Sequence, residues 1–215
     1  VMNSTSQASL NYNPFSSTAL TGVVGALYEP LFYMNNLKDD PTKLEPLMGK
    51  SYTISDDAKT IDVTIRDGEK WSDGEPYTTE DVAYTFNLLN SNKALNTSGF
   101  AGSAKVLSDT EVRITLDKPE SVNALSYLSG TMIVPKHLWE KIDDPVTYTN
   151  KDAVGSGPFT VKGGNFSPTA YTFKKNPYYW DEGKPEIDGV RYVLITGGSQ
   201  ASQNALTAGD VDWMS

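Results

Sequence analysis

The sequence predicts an α+β or mixed α/β fold, and three observations carry that prediction. Apolar and polar residues alternate in two separate stretches, as hairpins with one buried face require. Between and after these stretches apolar residues recur at helical spacing. The hairpins and helices follow no repeated βαβ order, which excludes a doubly wound sheet, and no internal repeat of about 20 to 50 residues is visible.

Taken in order, the first 22 residues are rich in Ser, Thr and Asn around Tyr12-Asn13-Pro14-Phe15 and read as loop or one short strand. An apolar, helix-like segment over 23–27 runs into Tyr28-Glu29-Pro30-Leu31-Phe32-Tyr33. Pro41 and Pro46 bracket a linker-like stretch, a candidate boundary. From Ser51 the period becomes two: Tyr52 and Ile54 form one arm of a hairpin, and Ile61, Val63 and Ile65 the other, across a turn at 55–59. Asp67-Gly68 and Asp73-Gly74 mark turns on either side of Trp71. Thr78 followed by Asp81 matches a capping box with Asp in place of Glu, and Val82, Phe86 and Leu89 then fall at helical spacing, so a helix is predicted over 79–89.

A second hairpin is predicted from 105–107 and the alternating Val112, Ile114 and Leu116, joined by Ser108-Asp109-Thr110. Helices follow at 121–128 and 135–142, the latter with Pro135 in its first turn. Strand-like pieces recur at 159–162, 171–174 and 190–195, and a helix over 199–208 closes the chain.

The 215 residues suffice for one large domain or two small ones with a real core and no disulfides. There are 27 acidic and 18 basic residues, a net charge of −9 with the single His neutral. That balance argues against duplex nucleic acid or an anionic membrane surface as partners. The absence of Cys excludes thiol catalysis, Cys-ligated zinc and iron–sulfur clusters. No apolar run reaches the roughly 18 residues that span a bilayer. The chain starts at Val1 with no charged n-region or apolar h-region, so a mature or trimmed product is expected.

Few residues suggest catalysis. His137 lies at an apparent helix start, where a capping or surface role is the plain reading. No Walker loop or dinucleotide-binding fingerprint is present, because Gly155-Ser156-Gly157-Pro158 lacks the following Lys and its Pro stops a helix. No acidic cage for calcium is visible, Asp210-Val211-Asp212 being too short. The acid pairs Asp56-Asp57, Glu80-Asp81 and Asp143-Asp144 could in principle serve glycoside hydrolysis but read as turns and helix starts. Aromatics are more suggestive: four Trp, twelve Tyr and seven Phe offer rings that stack on sugars or pack peptide side chains. Tyr52, Trp71, Tyr84, Phe86, Phe159 and Phe173 nevertheless occupy core-like positions.

Several separated blocks resemble, in family order, the family 5 extracellular solute-binding proteins, the oligopeptide, dipeptide, nickel and oligosaccharide receptors of ABC importers. They are Tyr28-Glu29-Pro30-Leu31, Arg66-Asp67-Gly68, Trp71-Ser72-Asp73-Gly74, Thr79-Glu80-Asp81-Val82 and Val134-Pro135-Lys136-His137. Further on come Gly155-Ser156-Gly157-Pro158-Phe159, Asn176-Pro177-Tyr178-Tyr179-Trp180 and Gly209-Asp210-Val211-Asp212-Trp213. The resemblance implies a periplasmic-binding-protein-like type II lobe. Residues 1–45 and 147–215 would form that lobe, and 46–146 an inserted α+β subdomain. The family's chain continues beyond Trp213 into a second ligand-gripping lobe, which this sequence does not include.

By the same resemblance the ligand would be held by Tyr12, Asn13 and Phe15, by Ser129, Gly130, Thr131 and Met132, and by the edge of the inserted subdomain near Phe100. The implied role is non-enzymatic capture of oligopeptides outside the membrane and delivery to ABC permease subunits, without cofactor or metal. Oligosaccharides of cello or manno type are the alternative ligand. A secreted carbohydrate-active hydrolase and an adhesion module are rival readings, the latter requiring a surface without a cleft. The implied location is the periplasm or cell surface, as a lipoprotein whose lipid anchor lies outside this sequence.

Overall fold

The computed structural model describes residues 2–4, 8–40 and 42–214. Pro41, one of the two prolines at the candidate boundary, lies outside them.

The predicted hairpins form one four-stranded antiparallel sheet. Strands β4 (Gly49–Ile54), β5 (Thr60–Ile65), β6 (Gly102–Val106) and β7 (Glu111–Leu116) pair in the order β4-β5-β7-β6. The alternation read from sequence becomes one buried face: Ile61, Val63 and Ile65 of β5 face inward with Val112, Ile114 and Leu116 of β7. Helix α1 (Thr79–Ser91) covers that face with Val82 and Phe86. It begins at a full capping box, in which the Thr78 side chain and the Asp81 carboxylate each take the other's backbone N–H.

The second sheet is mixed. Its path is β1 (Met2–Ser4), β11 (Gly189–Leu194), β10 (Ala170–Lys175) and β8 (Phe159–Thr160), with β9 (Phe166–Ser167) also paired to β10. Strand β1 runs parallel to β11, while β10 is antiparallel to its neighbours. Tyr171 and Tyr192 stack across β10 and β11 at 4.9 Å between ring centroids, and both belong to a core with Tyr12, Tyr28 and Phe173. A two-stranded pairing of β2 (Phe32–Tyr33) with β3 (Glu45–Pro46) completes the strands.

The two cores interleave along the chain. Leu31, Phe32 and Leu44, which precede residue 46, pack with the four-stranded sheet, whereas Met132, Val134 and Trp139 pack with the mixed sheet. Helix α2 (Ser121–Gly130) faces the first core with Ala124, Tyr127 and Leu128. Helix α4 (Gly198–Ala208) closes the described chain and buries Ser202 alone.

Two predicted helices are corrected. Residues 23–27 form a single π-type turn, because Val24 is extended and Gly25 takes φ 89°, which breaks helical geometry. The helix predicted over 135–142 contracts to α3 (Lys136–Trp139), with Pro135 extended at its N-cap rather than inside it. Gly155-Ser156-Gly157-Pro158 explains the π-type turn from the other side. The Gly157 N–H donates to Leu27 O at 2.9 Å, and a Cβ on Gly155 would stand 1.9 Å from that same oxygen. Only glycine allows so close a backbone approach.

Candidate functional site

The loop Asn11–Phe15 is built from side-chain amides. Asn13 is fully buried; its Nδ2 donates to the Pro145 and Tyr148 carbonyls at 3.0 and 2.9 Å, and its Oδ1 accepts the Phe15 N–H at 3.0 Å. The Tyr12 N–H donates to Thr149 O, and Asn150 Nδ2 donates to both Tyr12 O and Tyr28 Oη. These bonds fix the loop and leave Phe15 projecting, half-buried, edge-on to Trp139 at 5.5 Å.

Phe15 meets a second segment there. Gly130, Thr131 and Met132, at the end of α2, line with Phe15 a recess of about 50 Å³. Leu89 and Leu95, at and beyond the end of α1, form its other wall. Gly130 is exposed and Ser129 half-buried, the Ser129 hydroxyl donating back to Leu125 O at 2.8 Å. Thr131 is 3% exposed and its Oγ1 has no hydrogen-bond partner. A buried hydroxyl in that state costs free energy until something bonds to it. No charged side chain lines the recess. The C-terminal ends of α1 and α2 lie at it, and helix C-termini carry partial negative charge and carbonyls able to accept.

The structure therefore brings Phe15 together with Gly130, Thr131 and Met132. Asn13 spends its amide on holding the loop. Tyr12 is buried in the mixed-sheet core, edge-on to Phe173 at 6.0 Å, and burial pushes its phenol up from its ordinary value. Phe100 takes no part in the recess: it is wedged between Phe86 at 5.0 Å and Tyr127 at 5.4 Å in the first core, where a large ring entering β6 beneath α1 and α2 is drawn by burial. Sequence reasoning missed Leu89, Leu95 and the Thr97-Ser98 loop. Their signal was a small-residue, Asn-, Thr- and Ser-rich stretch directly after a helix.

Two larger grooves lie apart from the recess. One of about 710 Å³ runs between the turn region 66–81 and α3, and its wall is self-paired, with Lys136 bonded to Glu80. The other, of about 510 Å³, lies between Tyr12, Asp73 and the Gly163-Gly164 turn. His137 pairs with Asp73 at 3.0 Å, the surface role read from sequence. Among the described residues no three of His, Cys, Asp and Glu gather as a metal site, and no helix is long and apolar enough to cross a membrane.

The profile of the bacterial extracellular solute-binding proteins, family 5 (middle region), matches residues 43–215. The chain belongs to that family. It is 30% identical to the peptidoglycan-binding protein YepA of Agrobacterium fabrum over 93% of this chain and 35% of the relative. It is 26% identical to the dipeptide-binding protein DppE of Bacillus subtilis over 85% of this chain and 38% of that one. The fold superposes on a mannohexaose-bound periplasmic oligopeptide-binding protein of Thermotoga maritima with a TM-score of 0.87, at 25% identity, covering 99% of this chain and 40% of that one. This family 5 chain thus spans about a third of the length of the curated relatives it matches.

Proposed function

We propose that this family 5 chain supplies one wall of the ligand cleft in an extracytoplasmic receptor that captures oligopeptides and presents them to the permease of an ABC importer. The observation that carries the reading is the recess where Phe15 meets Gly130, Thr131 and Met132, with the Thr131 hydroxyl unpartnered. Phe15 offers an apolar ring edge, and the helix-end carbonyls offer acceptors for ligand N–H groups. Two helix C-termini favour a cationic group, each by about 0.3–1 kcal/mol, which suits the ammonium end of a peptide. The net charge of −9 acts in the same direction at longer range.

An oligosaccharide is the second reading, supported by the superposition on a mannohexaose-bound structure. Sugar hydroxyls would also satisfy Thr131 and the carbonyl acceptors, and a ring would stack on Phe15. Titration calorimetry on the full-length receptor separates the two, using free peptides, the same peptides N-acetylated, and manno- and cello-oligosaccharides. Binding by free peptides, weakened by acetylation and by Phe15→Ala, is the expected result. Heat only from the sugar panel would replace the peptide reading, and unchanged affinity in Phe15→Ala and Thr131→Ala would remove the recess from the cleft.

A further inference from the structure

Glu29 stands where the chain leaves one core and enters the other: Leu27 and Tyr28 pack with the mixed sheet, Leu31 and Phe32 with the four-stranded sheet. Its side chain is 7% exposed, and among the described residues no cation pairs with it. Two neutral donors face it instead, Tyr179 Oη at 2.8 Å from Oε1 and Trp180 Nε1 at 3.1 Å from Oε2. Both come from the turn after Asn176, itself anchored by Asn176 Nδ2 donating to Gly157 O. On the other side of Trp180 lies the Arg66 guanidinium, 4.1 Å from the ring centroid, and Arg66 Nε donates to Leu47 O at 2.6 Å. A continuous stack thus runs from the four-stranded sheet, through Arg66 and Trp180, to Glu29.

The remaining neighbours add no counter-charge. The Glu29 N–H donates to Ser156 Oγ at 3.4 Å, and the charge of Asp181 bears on the carboxyl from the 176–181 turn. Tyr77, from the inserted side, is buried with its hydroxyl unpartnered and feels the charges of Asp81 and Glu29. Burial therefore dominates, and it raises the Glu29 carboxyl to about 7 despite the two donors.

We infer that Glu29 is a proton-operated latch between the two cores: carrying a proton it holds the 176–181 turn closed on the Tyr28–Leu31 segment, and losing the proton loosens that contact. The chemistry is asymmetric. In the neutral acid Tyr179 Oη and Trp180 Nε1 go on donating to the two carboxyl oxygens, and no charge has to be kept from water. In the carboxylate, two neutral donors must replace the water shell of a whole charge, and water competes for it. The folded chain holds this proton between the ordinary carboxylate range and about 7, where the unfolded chain has released it, so the latch weakens as pH rises through neutrality.

Infrared difference spectra of the protein from about pH 5 to pH 9 should show one protonated-carboxyl band lost near neutrality, and Glu29→Gln should lack it. Amide hydrogen exchange in 176–181 should accelerate above that midpoint by about tenfold beyond intrinsic base catalysis in the wild type, and not in Glu29→Gln. If Glu29→Gln does not fold, Trp180→Phe serves: removing a donor to the ionised form should move the band's midpoint upward. No carboxyl titrating near neutrality, a midpoint unmoved by Trp180→Phe, or exchange that accelerates equally in the wild type and Glu29→Gln overturns the latch.

Discussion

The backbone N–H of Lys136 donates to Asp81 Oδ1 at 2.8 Å, across 55 residues of sequence. Asp81 Oδ2 meanwhile accepts from the Thr78 N–H at 2.8 Å and Trp71 Nε1 at 3.3 Å. One buried carboxylate thus caps α1, fixes the Trp71 ring and starts α3. The Thr78 hydroxyl also donates to Oδ2 at 3.0 Å, so Asp81→Ala leaves four donors without this acceptor and should cost about 2–4 kcal/mol, more than an ordinary cap, read as a lower urea midpoint at unchanged slope.

Gly155→Ala places a methyl group 1.9 Å from Leu27 O, against backbone rather than a movable side chain. The 23–27 turn and the Gly155 segment must separate, which should cost about 1–3 kcal/mol or more. A matched Gly183→Ala control meets no neighbouring atom, though its φ of 83° adds backbone strain of its own. A thermal midpoint lowered further for Gly155→Ala than for the control isolates the collision.

Thr131→Val should separate stability from binding. Replacing an unpartnered buried hydroxyl by a methyl group removes a desolvation penalty, so the protein should gain about 1 kcal/mol in denaturant unfolding. Ligand affinity should fall if that hydroxyl bonds the ligand, by about threefold to tenfold for a bond of ordinary strength. A variant that binds as well as the wild type would assign the hydroxyl no role in recognition.

Asp62 and Arg113 form a two-point ion pair across β5 and β7, with both N–O distances 2.7 Å. The arginine holds the Asp62 carboxyl below its ordinary value. A lowered carboxyl adds stability above the usual carboxylate range and loses it as pH falls through the folded value, opposite in sign to Glu29. Both partners are more than a third exposed, so Asp62→Asn should cost no more than about 1 kcal/mol and less at high salt. A loss that persists undiminished in about 1 M salt would contradict this.

Local chemistry explains which parts of the fold were legible in the sequence. The capping box at Thr78 and Asp81 and the alternation of Ile61, Val63 and Ile65 act within a few residues, and both survive into the structure. The 23–27 segment misled because its apolar content suits a helix, while Gly22 and Gly25 adopt positive φ and Leu27 O is bonded by Gly157, more than a hundred residues away. The site divided in the same way. Phe15 and residues 130–132 do line one recess, whereas Phe100 is a core ring, and no pattern near Glu29 announces Tyr179 and Trp180. Partners supplied by distant segments leave no period in the sequence.

The pairing of β1 with β11 sets Met2 beside Tyr192. By contrast, every strand of the four-stranded sheet lies between residues 49 and 116. During synthesis from the N-terminus the four-stranded unit can close early on contacts of short sequence separation, while the mixed sheet waits for nearly the whole described chain to emerge. Strand β1 therefore spends that interval as an unpaired edge, open to mispairing until β11 arrives.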